Sequence, residues 1–232
     1  MDATMGGPFS RENRIGLSAR VQAALSELIV AGILAPDQPL RIDALSTRLG
    51  VSATPVREAL VRMEASGIVT RETNKGFRVA PRLDPHDLDD LFEARITLEA
   101  RLAQLACQHV SSAMLEGMEE ALEAQRSLSQ DGSLEAFAGF LEADRRFHGL
   151  IAEAASNRFL STALESLGSH VQRYRSFDEH VVTDRQETLV EHRAILDAVA
   201  AANPRAAELA MTMHLSNLRG RVQLERQGRP AS

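Results

Sequence analysis

A chain of 232 residues with 44 % hydrophobic side chains can bury a core or two, which excludes wholesale disorder. Cys107 is the only cysteine, so an intramolecular disulfide and a cysteine-built zinc site are both excluded, and a reducing cytoplasm is expected; no run reaches the ~18 apolar residues of a membrane helix, and no signal pattern opens the chain. The net charge of −6 looks wrong for a nucleic-acid binder until it is divided: residues 11–82 carry 11 Arg and Lys against 7 Asp and Glu, whereas residues 83–232 carry 15 Arg against 24 acids.

The first 13 residues, with Gly6, Gly7 and Pro8, read as a loose tail. A compact module is expected over 14–81. Leu17, Val21, Leu25, Leu28 and Ile29 recur at helical spacing and predict a helix over 17–32, ended by Gly32. Pro36 and Pro39 mark a turn, and Leu40–Ile42 can add a short strand. A second short helix covers 43–49, with Gly50 in its C-terminal cap. The third covers about 53–65, with Ser52 or Thr54 as cap and Pro55 in the first turn. Val56, Leu60 and Met63 face inward on it, and Arg57 lies on another face near its start. Residues 68–72 and 77–80 then alternate around the turn Thr73-Asn74-Lys75-Gly76. Three helices and a hairpin in this order predict a winged helix-turn-helix. Its third helix would enter a major groove of duplex DNA, and the wing tip at Lys75 and Gly76 would approach phosphates. The other use of such a module is protein contact alone, which the local positive charge disfavours.

The runs Val51-Ser52-Ala53-Thr54-Pro55-Val56-Arg57-Glu58-Ala59-Leu60, Glu64-Ala65-Ser66-Gly67-Ile68 and Gly76-Phe77-Arg78-Val79 resemble the GntR group of bacterial transcription regulators over residues 17–81. The resemblance implies DNA contacts from Ser52, Thr54, Arg57, Lys75 and Gly76, with Arg62 open between contact and solvated charge. Where family members usually carry an arginine that meets DNA, this chain has Ala53, which implies an altered base preference.

Pro81 and Pro85 flank a connector over 82–85, and Asp84 can cap the next helix. From there the pattern is helical through about six segments (85–110, 112–129, 133–155, 157–176, 183–202 and 204–227), broken at Asp131-Gly132, Asn157 and Asn203-Pro204. The fold class is therefore mainly α: a winged helix-turn-helix followed, over 86–228, by an all-α antiparallel helical bundle. Polar residues interrupt its apolar stripes. Asp144 and His148 sit four apart among Phe137, Phe140, Leu141, Phe147 and Ile151. His192 sits between Leu189 and Leu196, and His214 between Met211 and Leu218. A single stripe histidine is ordinarily a satisfied core residue, but three with a carboxylate suit a divalent metal: zinc, nickel, copper or iron by the imidazoles, manganese by the carboxylate. His109 and His170 lie near stripe edges, so the pattern alone leaves the ligand set open. Arg95 interrupts the stripe Leu88, Leu91, Leu98, Leu102, and its anionic partner is Glu99, four residues on, another carboxylate of the bundle, or the carboxylate of a bound ligand.

Leu91-Phe92-Glu93-Ala94-Arg95 with Leu98-Glu99, Asp144 with Phe147-His148, Glu191-His192 with Ile195, and Met213-His214-Leu215 resemble the FCD ligand-binding domain of the FadR-like branch of that group, over about 85–225. The resemblance implies metal ligands at Asp144, His148, His192 and His214, a small organic acid as effector, and Arg95 beside the metal as its grip. The expected protein is a cytoplasmic, nucleoid-associated homodimer on a near-palindromic operator. It is a regulator rather than an enzyme, makes no use of a membrane, and acts as a repressor in the commoner family outcome. Two rivals stand against it: a metal-dependent enzyme in which Glu191 would be the base, and a regulator whose metal is purely structural.

Overall fold

The computed structural model describes residues 11–73, 75–129, 131, 133–177 and 185–227. The described chain parts into two compact units, one of residues 11–82 with Ser169–Phe177 and one of Leu83–Gly168 with residues 185–227. In the first, helix α1 (Arg11–Val30) is followed by strand β1 (Pro39–Leu40), helices α2 (Ile42–Leu49) and α3 (Ala53–Ala65), and strands β2 (Val69–Glu72) and β3 (Gly76–Val79). Val21, Leu25 and Ile29 of α1 pack with Val56, Leu60 and Met63 of α3, all nearly or fully buried. The sheet has the order β1-β3-β2 and is antiparallel throughout, with Leu40 opposite Phe77 and Val69 opposite Val79.

Gly50 closes α2 in the left-handed region at φ 65°, its N–H donating to the Ser46 carbonyl. That conformation is costly for any residue with a Cβ, and it sets the sharp angle between α2 and α3. Three boundaries differ from the sequence expectation. Helix α1 begins at Arg11, inside the span read as a tail, because the polar run Arg11-Glu12-Asn13-Arg14 propagates a helix without contributing to an apolar stripe. Residues 1–10 of that tail lie outside the described residues. Ser52 sits at the N-cap of α3 in extended conformation, yet its side chain makes no capping hydrogen bond. The first strand is Pro39–Leu40 rather than Leu40–Ile42, since Ile42 already starts α2.

After the connector come α4 (Pro85–Ala106), α5 (Ser112–Leu128), α6 (Leu134–Ala154), α7 (Arg158–Phe177), α8 (Arg185–Ala200) and α9 (Pro204–Gln227), which make up the second unit except for the Ser169–Phe177 end of α7. Side-chain caps begin five of them: Asp84 accepts from the Asp87 N–H at 2.8 Å, Ser111 from Met114, Ser133 from Ala136, Asn157 from Leu160 and Asn203 from Ala206. The breaks fall where they were expected, although Gly132 and residues 178–184 lie outside the described residues. Five helices close a ring in which α4 packs on α9 and α6, α6 on α5, α5 on α8, and α8 on α9. Its interior is built from Met118, Phe147, Ile151, Ile195, Val199 and Met211 with many alanines. Helix α7 lies outside the ring and rests on it through Leu160 and Leu164, against Leu102, Ala152 and Ala155.

Candidate functional site

Asp144, His148, His192 and His214 come from α6, α8 and α9 and meet inside the five-helix ring, each less than 9 % exposed. One ring nitrogen from each histidine lies within 4.8 Å of the others. The Asp144 Oδ1 atom stands 3.6 Å from His192 Nε2 and 3.9 Å from His148 Nε2. The Nε2 atoms of His148 and His214 are buried without a hydrogen-bond partner, a costly state for a polar atom unless something is bound there. His109 and His170, the competing histidines, are both exposed.

The opposite edge of each imidazole is held from outside. His192 Nδ1 donates to the Gln125 Oε1 atom of α5 at 2.8 Å, and the His192 ring stacks on Phe147 at 4.3 Å with an interplanar angle of 4°. His214 Nδ1 is 2.8 Å from Glu191 Oε2. His148 Nδ1 lies 2.6 Å from Glu99 Oε2 of α4. Holding Nδ1–H of His192 and His214 in this way fixes their tautomer and leaves the Nε2 lone pair facing inward, as in carboxylate–histidine–metal triads, while His148 is placed by its proximity to Glu99. Every helix of the ring thus contributes to one centre: Glu99 from α4, Gln125 from α5, Asp144 and His148 from α6, Glu191 and His192 from α8, and His214 from α9. Three imidazoles and one carboxylate are a donor set for a borderline divalent cation.

The electrostatics favour the ligating form of His214. Burial pushes His214 below the usual imidazole value against the pull of Glu191, so the ring stays neutral. For Glu191 burial works upward, but hydrogen bonds from His214, Arg221 and Asn217 prevail and bring it down to about 2. Burial likewise works upward on Glu99, and is outweighed by Arg95 and His148, which hold it far below the usual carboxylate range. From the sequence Glu191 was a marker of the FCD resemblance and, in the rival enzyme reading, the base. Instead it is the hub of an outer network, accepting also from Asn217 Nδ2 at 2.9 Å and Arg221 Nη1 at 2.8 Å. Replacing Glu191 by Gln is expected to weaken zinc affinity by about 10- to 100-fold with the helical content unchanged. Titration of purified protein against a chelating dye measures it, and an unaltered affinity would mean that His214 is oriented by something else.

Arg95 is 3 % exposed, and its Nε donates to Glu99 Oε1 at 2.7 Å. Of the partners weighed from the sequence, the structure supplies Glu99. Glu99 bridges Arg95 and His148, so the guanidinium is one residue removed from the histidine centre.

In the first unit, Ser52, Ala53, Thr54 and Arg57 are all exposed at the start of α3, while Pro55 and Val56 beside them are buried. Arg62 is half-buried. Gly76 takes φ 86°, which lets β3 leave the wing tip without a side chain in the way. Lys75, the only lysine of the chain, is 71 % exposed and pairs with Glu72 at 2.8 Å. Asn74 of the same turn lies outside the described residues.

Two family models match: "Bacterial regulatory proteins, gntR family" over residues 17–79 and "FCD domain" over residues 90–217. The chain belongs to the GntR family of transcriptional regulators and carries an FCD domain. Similar curated proteins include the HTH-type transcriptional regulator LutR of Bacillus subtilis, 30 % identical over 82 % of this chain and 94 % of its own length. A probable D-xylose utilization operon transcriptional repressor of Paenarthrobacter nicotinovorans is 29 % identical over 93 % and 91 %. The HTH-type transcriptional repressor RspR of Escherichia coli is 27 % identical over 91 % of each chain. Among solved structures, E. coli McbR/YncC shares the fold with a TM-score of 0.65 at 20 % identity, covering 91 % of this chain and 97 % of that one. These relatives are regulators of transcription, not enzymes, and among the described residues no helix is long and apolar enough to cross a membrane.

Proposed function

We propose that this GntR-family regulator is a metal-dependent sensor of a small carboxylate, acting in the cytoplasm as a homodimeric repressor on a near-palindromic operator. The observation that supports it is the convergence of three buried imidazoles, two with hydrogen-bonded outer nitrogens and the third with its outer nitrogen 2.6 Å from Glu99, that each bring one ring nitrogen to a common point. Asp144, His148, His192 and His214 would hold the ion. Zinc suits the set best, with nickel, manganese or iron as alternatives. When bound, the ion supplies a Lewis-acidic point for a carboxylate oxygen.

The chain's own residues do the rest. Arg95, held by Glu99 beside His148, would take part in gripping the carboxylate and would pass its arrival to α4. Helix α4 begins at Pro85, directly after the connector to the DNA-binding unit. A change in α4 packing therefore starts where the two units join in sequence. An effector shifts operator affinity only through its differential affinity for the two states. On DNA, Arg57 and Thr54 would reach base edges or phosphates from α3, with Ser52 at its start and Lys75 and Gly76 on the phosphate backbone.

A thermal-shift screen of small organic acids on the zinc-loaded chain tests the sensor role, followed by operator titration with each hit. The expected hit stabilises wild type but not His192→Ala, and changes operator affinity by about 5- to 150-fold. If chelation lowers stability while leaving the effector response untouched, the metal is a staple and the effector site lies elsewhere.

A further inference from the structure

The second unit buries another cation that the histidine centre does not use. Arg185, at the start of α8, is only 3 % exposed. Its Nη1 donates to the carbonyls of Leu128 at 2.6 Å and Asp131 at 2.7 Å, tying α8 to the end of α5. Its guanidinium carbon lies 5.9 Å from the centre of the Phe137 ring and 5.5 Å from that of Phe140. The Nε and Nη2 atoms, buried, meet no hydrogen-bond partner. These two nitrogens form the edge of an arginine that grips a carboxylate with two parallel hydrogen bonds. Asp131 is the acid that acts on Arg185 through its charge, but its Oδ1 is engaged by the Ser133 N–H at 2.8 Å. Capping two carbonyls accounts for Nη1 and leaves the other edge of a buried charge unmatched, which is costly in a protein interior.

The place of Arg185 in the bundle gives that edge a meaning. Arg185, Leu189 and His192 follow one face of α8 at spacings of four and three. Phe137, Phe140 and Asp144 do the same on α6, and Gln125 and Leu128 on α5. The same three helices therefore build two stations: Gln125, Asp144 and His192 at one, and Leu128, Phe137, Phe140 and Arg185 at the other. Along α8 they are two turns apart, about 10 Å. We propose that Arg185 is a second anion clamp of the effector domain, and that the effector is a dicarboxylate with one end at the histidines and the other on the Nε–Nη2 edge. This rests on the reading of the histidine centre as a carboxylate sensor.

The test uses the full zinc-loaded chain and calorimetric titration with straight-chain dicarboxylates from succinate to suberate, each against the monocarboxylate of equal length. Wild type should bind the best dicarboxylate about tenfold or more tightly than its monocarboxylate match. Arg185→Lys keeps a charge able to cap the Leu128 and Asp131 carbonyls but loses the fork. It should retain monocarboxylate binding and native helicity while the preference falls to near one. Equal binding of mono- and dicarboxylates by wild type, or a preference that survives Arg185→Lys, overturns the clamp and leaves the histidine reading standing. A preference that depends on Arg185 but persists in His192→Ala without zinc supports the clamp and overturns the histidine end. No binding of any acid by wild type overturns both.

Discussion

Arg57→Ala should lower operator affinity by about a hundredfold or more, because the proposed homodimer would lose the same contact in both half-sites. Arg57 is exposed on α3 and contributes nothing to the Val56, Leu60 and Met63 core beneath it, so the unit should fold as before. Fluorescence anisotropy on a labelled operator reads the affinity, and circular dichroism reads the fold. Affinity retained in a folded variant would remove α3 from its assigned role. Lys75 gives a contrasting expectation within the same experiment. Its ammonium already has Glu72 as a partner, so it would have to exchange that carboxylate for a phosphate. Its removal should act mainly through the salt dependence of binding, at a level well below that of Arg57.

His192→Ala should be the most damaging single change in the second unit. The ring is fully buried, stacks on Phe147 and accounts for the Gln125 oxygen. Leaving that buried oxygen unmatched costs about 1–3 kcal/mol. Losing an ion present at a hundred times its dissociation constant costs about 2.7 kcal/mol more. For a chain of this size the sum corresponds to a fall in melting temperature of roughly 10–20 °C. Treating wild type with a chelator should reproduce only the second part, roughly 5–10 °C. Differential scanning calorimetry of the three samples separates the terms. Equal melting of chelated and loaded wild type would mean that no ion is bound at the centre.

The stripes told most of this story in advance. Polar residues at positions where a helix should be apolar are conspicuous, and so Asp144, His148, His192 and His214 stood out as candidates; spacing left His109 and His170 beside them, and only the resemblance to the FCD domain singled out the four. The outer partners did not stand out. Glu191 is next to His192 in a charged stretch, and such residues normally face water. Gln125 carries no charge to attract notice, and Glu99 read as a partner for Arg95 alone. Their shared role exists only once five helices close into a ring. The position of α7 outside that ring was equally hidden, since Leu160 and Leu164 make an apolar face without revealing what it covers. The early start of α1 escaped because periodicity registers apolar positions, and the run Arg11 to Arg14 has none. The Lys75–Glu72 pair across the wing turn was within reach of the sequence: the residues are three apart in a tight hairpin, where opposite charges meet.

Metal stoichiometry tests the central claim most directly. Chain purified without chelating resin or chelator, then titrated with zinc and assayed by mass spectrometry of the intact species and by elemental analysis, should hold one ion per subunit. His192→Ala and His214→Ala, shown by circular dichroism to be folded, should hold none at the same free zinc. One ion per subunit in either variant, or none in wild type, would contradict the account of the five-helix ring as a metal-centred sensor.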